Sequence, residues 1–97
     1  MALKLRADGY KLLDLNWRLS ACEVDIIAYK DTCVYFVEVR YRATAGQGGG
    51  LATLTAKKLH HMRRAAEIWT LQQGWRGEYC LLAAGVDRAG TIELIEL

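Results

Sequence analysis

The stretch Glu23–Arg40, EVDIIAYKDTCVYFVEVR, decides how this chain folds. Two runs rich in β-branched and aromatic residues, Val24–Tyr29 and Val34–Tyr41, flank Lys30-Asp31-Thr32-Cys33. That is a hairpin pattern. With the turn centred on Asp31-Thr32, Lys30 faces Cys33, Ala28 faces Tyr35 and Asp25 faces Glu38. One step further on, Glu23 faces Arg40. Strand alternation then collects Glu23, Asp25, Glu38 and Arg40 on one face, together with Ile27, Tyr29, Val34 and Phe36.

Directly opposed strand residues have Cβ atoms about 4.5–5.5 Å apart, and like charges there are destabilising. Two carboxylates among Ile and Phe therefore need an explanation. A divalent cation is one, because Mg²⁺ takes one or two carboxylates plus water and phosphate oxygens. A shared proton with a raised carboxyl pKa is another. The third is an ion-pair cluster in which Arg40 neutralises both acids.

Outward from the hairpin, residues 2–8 read as the last turns of a helix stopped by Gly9. So short a helix does not stand alone, and the first helix reads as truncated at Met1. Tyr10–Arg18 reads as extended, with apolar alternation at Leu13, Leu15 and Trp17. Ala43–Gly50 is a glycine-rich loop. Residues 52–73 carry a helical period, with Leu54, Lys58, Met62, Ala65 or Ala66, and Trp69 on one face and Gly74 as the stop. Tyr79–Ala84 is a short apolar strand, Asp87-Arg88-Ala89-Gly90 a turn, and Thr91–Leu97 an alternating strand. The order α-β-β-β-α-β-β predicts an α/β or α+β fold with a mixed sheet and helices packed on it.

A chain of 97 residues is one domain on any length prior, so 1–97 is expected to form a single unit. It is 53% hydrophobic and 25% charged, which excludes a disordered tail. The longest apolar runs, such as Cys33–Val37 and Tyr79–Ala84, fall far short of the ~18 residues of a membrane span. Charges at Lys4 and Arg6 interrupt the place of a signal peptide's apolar stretch, so the expected compartment is the cytoplasm. Three cysteines without a C-x-x-C pair argue against a disulfide framework or a thiolate zinc site. Cys33 and Cys80 read as small buried hydrophobes. The net charge is +2, but residues 40–76 hold seven basic side chains against Glu67 alone. That basic middle third is a solvated helix face or a nucleic-acid footprint.

Lys58 lies on an otherwise apolar helix face, so it is expected to point toward the acidic cluster and contact a carboxylate or a phosphate. His60 and His61 diverge by about 100° on a helix and cannot share a metal as an i, i+4 pair can. His61, Lys57 and Arg64 read as an exposed basic face, with phosphate contact as the second reading. Gly46-Gln47-Gly48-Gly49-Gly50 lacks the G-K-[ST] of a phosphate-binding P-loop. Trp17 and Trp69 are expected in the core, and Trp75 with Arg76 at the surface.

The run Glu23-Val24-Asp25-Ile26-Ile27, the hairpin and Phe36-Val37-Glu38-Val39-Arg40-Tyr41-Arg42 resemble the signature of the YraN-like uncharacterised bacterial family. That family resembles the restriction-endonuclease-like PD-(D/E)xK superfamily. The likeness extends through the glycine loop to Lys58, Met62, Ala66 and Trp69. The resemblance implies Asp25 and Glu38 as catalytic ligands of Mg²⁺, or Mn²⁺, with the Val39 carbonyl as a third ligand and Glu23 as an outer one. It puts Arg40 at the catalytic lysine position, Cys22 where the family has glycine, and Cys80 where it tends to have aspartate. Arg42, Lys57, Lys58, His61 and Arg64 would then contact nucleic acid, DNA rather than RNA. The implied function is nucleic-acid binding with weak or absent Mg²⁺-dependent phosphodiester hydrolysis. The alternative is a non-catalytic interaction domain that keeps the fold. A homodimer is compatible with either.

Overall fold

The computed structural model describes residues 1–20, 22–41 and 55–97. Its elements are α1 (Ala2–Ala7), β1 (Lys11–Leu19), β2 (Cys22–Lys30), β3 (Cys33–Tyr41), α2 (Ala56–Gln73), β4 (Glu78–Val86) and β5 (Ile92–Glu96). The α-β-β-β-α-β-β order is the expected one. The strands form one five-stranded sheet in chain order, β1-β2-β3-β4-β5. β3 and β4 are parallel, and every other neighbouring pair is antiparallel. A parallel pair needs a crossover connection, and α2 lies in it.

The β2–β3 hairpin has the expected register, Ile26–Val37, Ile27–Phe36, Ala28–Tyr35, Tyr29–Val34 and Lys30–Cys33. Its two-residue loop places Asp31 at φ 49° and Thr32 at φ 64°. Positive φ at both central residues is type I′ geometry, whose twist matches the strands it joins.

β3 is covered on both faces. On one, Val34 and Phe36 join Val24, Ile27 and Leu81 beneath Met62, Ala65, Ala66 and Trp69 of α2. The Phe36 ring meets Trp69 and Tyr79 edge to face, at 5.6 and 5.7 Å between centroids. On the other face, Leu5 of α1 packs with Ile26, Ala28, Val37, Leu82 and Ala84. Both helices end as expected on a left-handed glycine, Gly9 (φ 93°) and Gly74 (φ 67°). At each stop the glycine N–H and the next N–H return to carbonyls of the last turn: Arg6 and Leu5, then Leu71 and Thr70. The turn at 87–90 is closed by the Asp87 carboxylate, which accepts from the N–H groups of Ala89 and Thr91.

Three local expectations are corrected. Leu13 and Leu15 of β1 are exposed, while Leu12 and Trp17 turn toward the core. The β1–β2 register shifts between Leu12 and Asp14, and such a bulge re-aims the residues beyond it. Trp75 is half-buried, because its indole N–H donates to the Glu78 carbonyl at 3.0 Å and its ring abuts Tyr29. Cys33 is buried as expected, whereas Cys80 is partly exposed, and their Sγ atoms lie 3.6 Å apart as free thiols. Among the described residues, no helix is long and apolar enough to cross a membrane. The helix expected from residue 52 starts at Ala56. Residues 51–54 and the glycine loop lie outside the described residues.

A β-branched residue in the left-handed region costs roughly 1–2 kcal/mol. Thr32→Gly should therefore stabilise the hairpin, by about 1 kcal/mol once glycine's greater unfolded-state entropy is deducted. Urea unfolding checks this, and an unchanged or lower midpoint would remove the turn strain from the account.

Candidate functional site

Paired residues of β2 and β3 run only as far as Ile26–Val37. At that point strict side-chain alternation in β2 also breaks. Cys22 and Val24 pack on the α2 side with Ile27, whereas Ile26 and Ala28 pack on the α1 side. The neighbouring strand shows why. Asn16 of β1 has φ 52° and falls in the gap between the pairs Leu15–Ile26 and Trp17–Val24. Asp25 sits at this break. Its Oδ2 accepts the Val39 N–H at 2.8 Å, so a carboxylate oxygen serves where a strand carbonyl would otherwise accept. Asp25 also lines a cavity of about 360 Å³ with Asn16, Ile26, Val39 and Tyr41.

Glu38 is the buried acid of the fold's centre, its side chain only 8% exposed. Oε1 lies 3.2 Å from Lys58 Nζ. Oε2 is buried and has no hydrogen-bond partner among the described residues. Lys58 thus contacts a carboxylate of the acidic pair, as its place on the apolar helix face led one to expect. The start of α2 sets that reach: Thr55 is the N-cap, and its Oγ1 accepts the Lys58 N–H at 3.1 Å. Burial pushes the Glu38 pKa above the usual carboxylate value, and the nearby Asp25 charge adds to the rise. The hydrogen bond and charge of Lys58, and then the Arg40 charge, oppose it.

Two expected neighbours are placed differently. Glu23 lies beyond the last β2–β3 pair, so the register does not set it opposite Arg40. It is the register partner of Arg18 on β1, and their side chains form an exposed ion pair at 3.4 Å. The reason is topological, since β2 is flanked by β1 as well as β3, and its pairing with β3 has ended before Glu23. Among the described residues, no three His, Cys, Asp or Glu side chains come together as a metal cluster. His61 is half-buried, not exposed, while Lys57, Arg63 and Arg64 lie on the exposed side of α2. Arg64 reaches Glu67 one turn on, at 3.8 Å. Arg40 is half-buried, and Arg42 lies outside the described residues. Asn16 and Thr55 were not singled out by sequence reasoning. Their signals were present: asparagine is enriched in the left-handed region, and threonine before a helical period caps it.

The profile of the uncharacterised protein family UPF0102 matches residues 1–94. The chain belongs to that family. A UPF0102 protein of Pseudomonas putida (strain W619) is 36% identical over 77 residues, covering 78% of this chain and 63% of the relative. One from Leifsonia xyli is 40% identical over 70 residues, 72% of this chain and 59% of the relative. One from Alkalilimnicola ehrlichii is 43% identical over 65 residues, 67% of this chain and 52% of the relative. The chain therefore spans between about half and two thirds of the length of these UPF0102 relatives.

The raised Glu38 pKa has a sign for stability. The folded UPF0102 domain holds that proton more tightly than the unfolded chain does. The stability it brings is complete below the unfolded carboxyl pKa and is lost as pH rises through the folded one. Glu38→Gln cannot ionise. Its stability relative to wild type should thus be higher at about pH 8 than at about pH 4, on either side of the usual glutamate pKa. Urea midpoints at both pH values check this, and a difference independent of pH would contradict it.

Proposed function

We propose that this UPF0102 chain has a nuclease-like fold of the restriction-endonuclease-like PD-(D/E)xK superfamily. In this reading it binds nucleic acid, DNA rather than RNA, in the cytoplasm, with weak or absent Mg²⁺-dependent phosphodiester hydrolysis. The observation that carries the reading is the Glu38 carboxylate, shut away from water with Oε2 unpartnered among the described residues, while the charge of Asp25 acts on it. Burying a charged oxygen without a donor is costly, so such an atom calls for a ligand.

Two carboxylates suit Mg²⁺ or Mn²⁺, ions that keep several waters and share phosphate oxygens. They do not make a closed zinc or calcium cage, and Glu23 stands apart on Arg18. Asp25 and Glu38 would hold the ion. When bound, it would polarise a phosphoryl oxygen and lower the pKa of a bound water. The chain's own residues do the rest. The Val39 N–H fixes the Asp25 carboxylate, and Thr55 fixes the turn that presents Lys58. Arg40 holds the lysine position of the superfamily motif. A guanidinium is always charged and positions phosphate without accepting the water's proton, which is the reason for low turnover. Lys57, Arg63 and Arg64 on the outer side of α2 would track the nucleic-acid backbone.

A specific observation favours the second reading, a non-catalytic interaction domain that forms a homodimer or holds a protein partner. β1 is an edge strand of the sheet and exposes Leu13, Leu15 and Leu19.

A plasmid-nicking assay with Mn²⁺ separates the readings. Slow nicking by wild type that Asp25→Asn and Glu38→Ala each eliminate supports the metal site. Mn²⁺ should also raise stability by about 2.7 kcal/mol at a hundredfold excess over Kd, and Asp25→Asn should lose that increment. Equal thermal shifts in wild type and Asp25→Asn would exclude these ligands.

Nucleic-acid binding has its own test. Changing Lys57, Arg63 and Arg64 together to Ala should flatten the log–log salt dependence of duplex binding by up to about 0.9 per lost phosphate contact. If wild type binds no duplex, single strand or junction at low salt, the interaction-domain reading replaces the nuclease-like one.

A further inference from the structure

We propose that Lys58 is a built-in counter-ion of the Asp25–Glu38 site, that it competes with a divalent cation for Glu38, and that its release couples metal uptake to phosphate binding. This rests on the reading of Asp25 and Glu38 as metal ligands. Lys58 Nζ sits 3.2 Å from Glu38 Oε1, with the lysine side chain 26% exposed and the glutamate 8% exposed. An ammonium at that distance from a shielded carboxylate supplies the charge that a bound cation would supply. It comes from the capped first turn of α2, so it is placed by a helix packed on the sheet.

Charge accounting gives the coupling. Lys58 holds Glu38 Oε1 as a cation would, so part of the acidic charge of Asp25 and Glu38 is already met without a metal. A divalent cation adds two positive charges in a place where burial strengthens repulsion. Lys58 is the member built to yield. Its ammonium ends a flexible four-carbon stem that reaches solvent, and its neighbours along α2 include the exposed Lys57. A displaced Lys58 ammonium needs a new anion, and a phosphate group brings one. Metal and phosphate then each favour the other's binding, and by linkage the effect is reciprocal.

Calorimetric titration of the whole chain with Mn²⁺ alone, at about pH 8 where glutamates are ionised, tests the competition. Lys58→Met should bind Mn²⁺ on the order of 10-fold more tightly than wild type, within the usual range of coupling between sites. Lys58→Gln should move the same way, and Lys58→Arg should stay near wild type. Circular dichroism confirms that each variant is folded. In anisotropy titrations of a fluorescent DNA duplex at fixed ionic strength, Mn²⁺ should strengthen binding to wild type more than to Lys58→Met. Mn²⁺ affinity equal to or weaker than wild type in both Lys58→Met and Lys58→Gln overturns the competition and leaves the metal site standing. An equal Mn²⁺ effect on DNA binding in wild type and Lys58→Met overturns the coupling. Mn²⁺ binding absent from wild type and Lys58→Met alike overturns the metal reading of Asp25 and Glu38, and this proposal with it.

Discussion

A carboxylate taken out of water must be met by cations or donors, or it will not stay ionised. Glu38 is such a group, set in the central strand of a sheet covered on both faces. Lys58 answers it from α2, and this ties the start of the helix to the strand beneath it. The apolar contacts of Met62, Ala65, Ala66 and Trp69 hold the remainder of α2 on the same face. Packing therefore chooses the face on which the helix lies, and the ion pair specifies where its first turn comes to rest. The strand is accordingly built in two parts. Its first half supplies Val34 and Phe36 to the core, and its second half supplies charge.

The division falls where β2 and β3 stop pairing. Asp25 takes over a backbone donor of β3 and so replaces one link of the ladder with a side chain. That substitution keeps the Val39 N–H satisfied by a side-chain carboxylate. Asn16, left-handed in the adjacent strand, marks the same level of the sheet from the other side. Irregular geometry in two neighbouring strands, β1 and β2, is thus concentrated at Asp25.

Lys58 also frames the choice between a catalytic and a non-catalytic protein. An ammonium held by Glu38 is sufficient for folding, since it supplies charge without an external ion. Oε2 of Glu38, without a partner among the described residues, is the part of this arrangement that the ion pair with Lys58 does not account for. The exposed leucines of β1 belong to a separate edge of the sheet, so an interface there is compatible with a site at Glu38.

Much of this was legible in the chain itself. A two-residue loop at Asp31-Thr32 fixes which residues face each other, so the hairpin register follows from local turn geometry. Gly9 and Gly74 stop their helices by a backbone requirement that needs no distant partner. Lys58 stands out because a charge on an apolar helix face must find an acid. The remainder depended on residues far apart in sequence. Leu13 and Leu15 turn outward because of a bulge against β2. Asp25 leaves its expected face at a break opposite Asn16. Glu23 pairs with Arg18 because β2 has β1 on its other side and its pairing with β3 ends at Ile26. Periodicity assigns a side chain to a face only while the ladder stays regular. Which strands lie side by side, and where their pairing fails, is set by how the whole sheet packs, and that is decided in three dimensions.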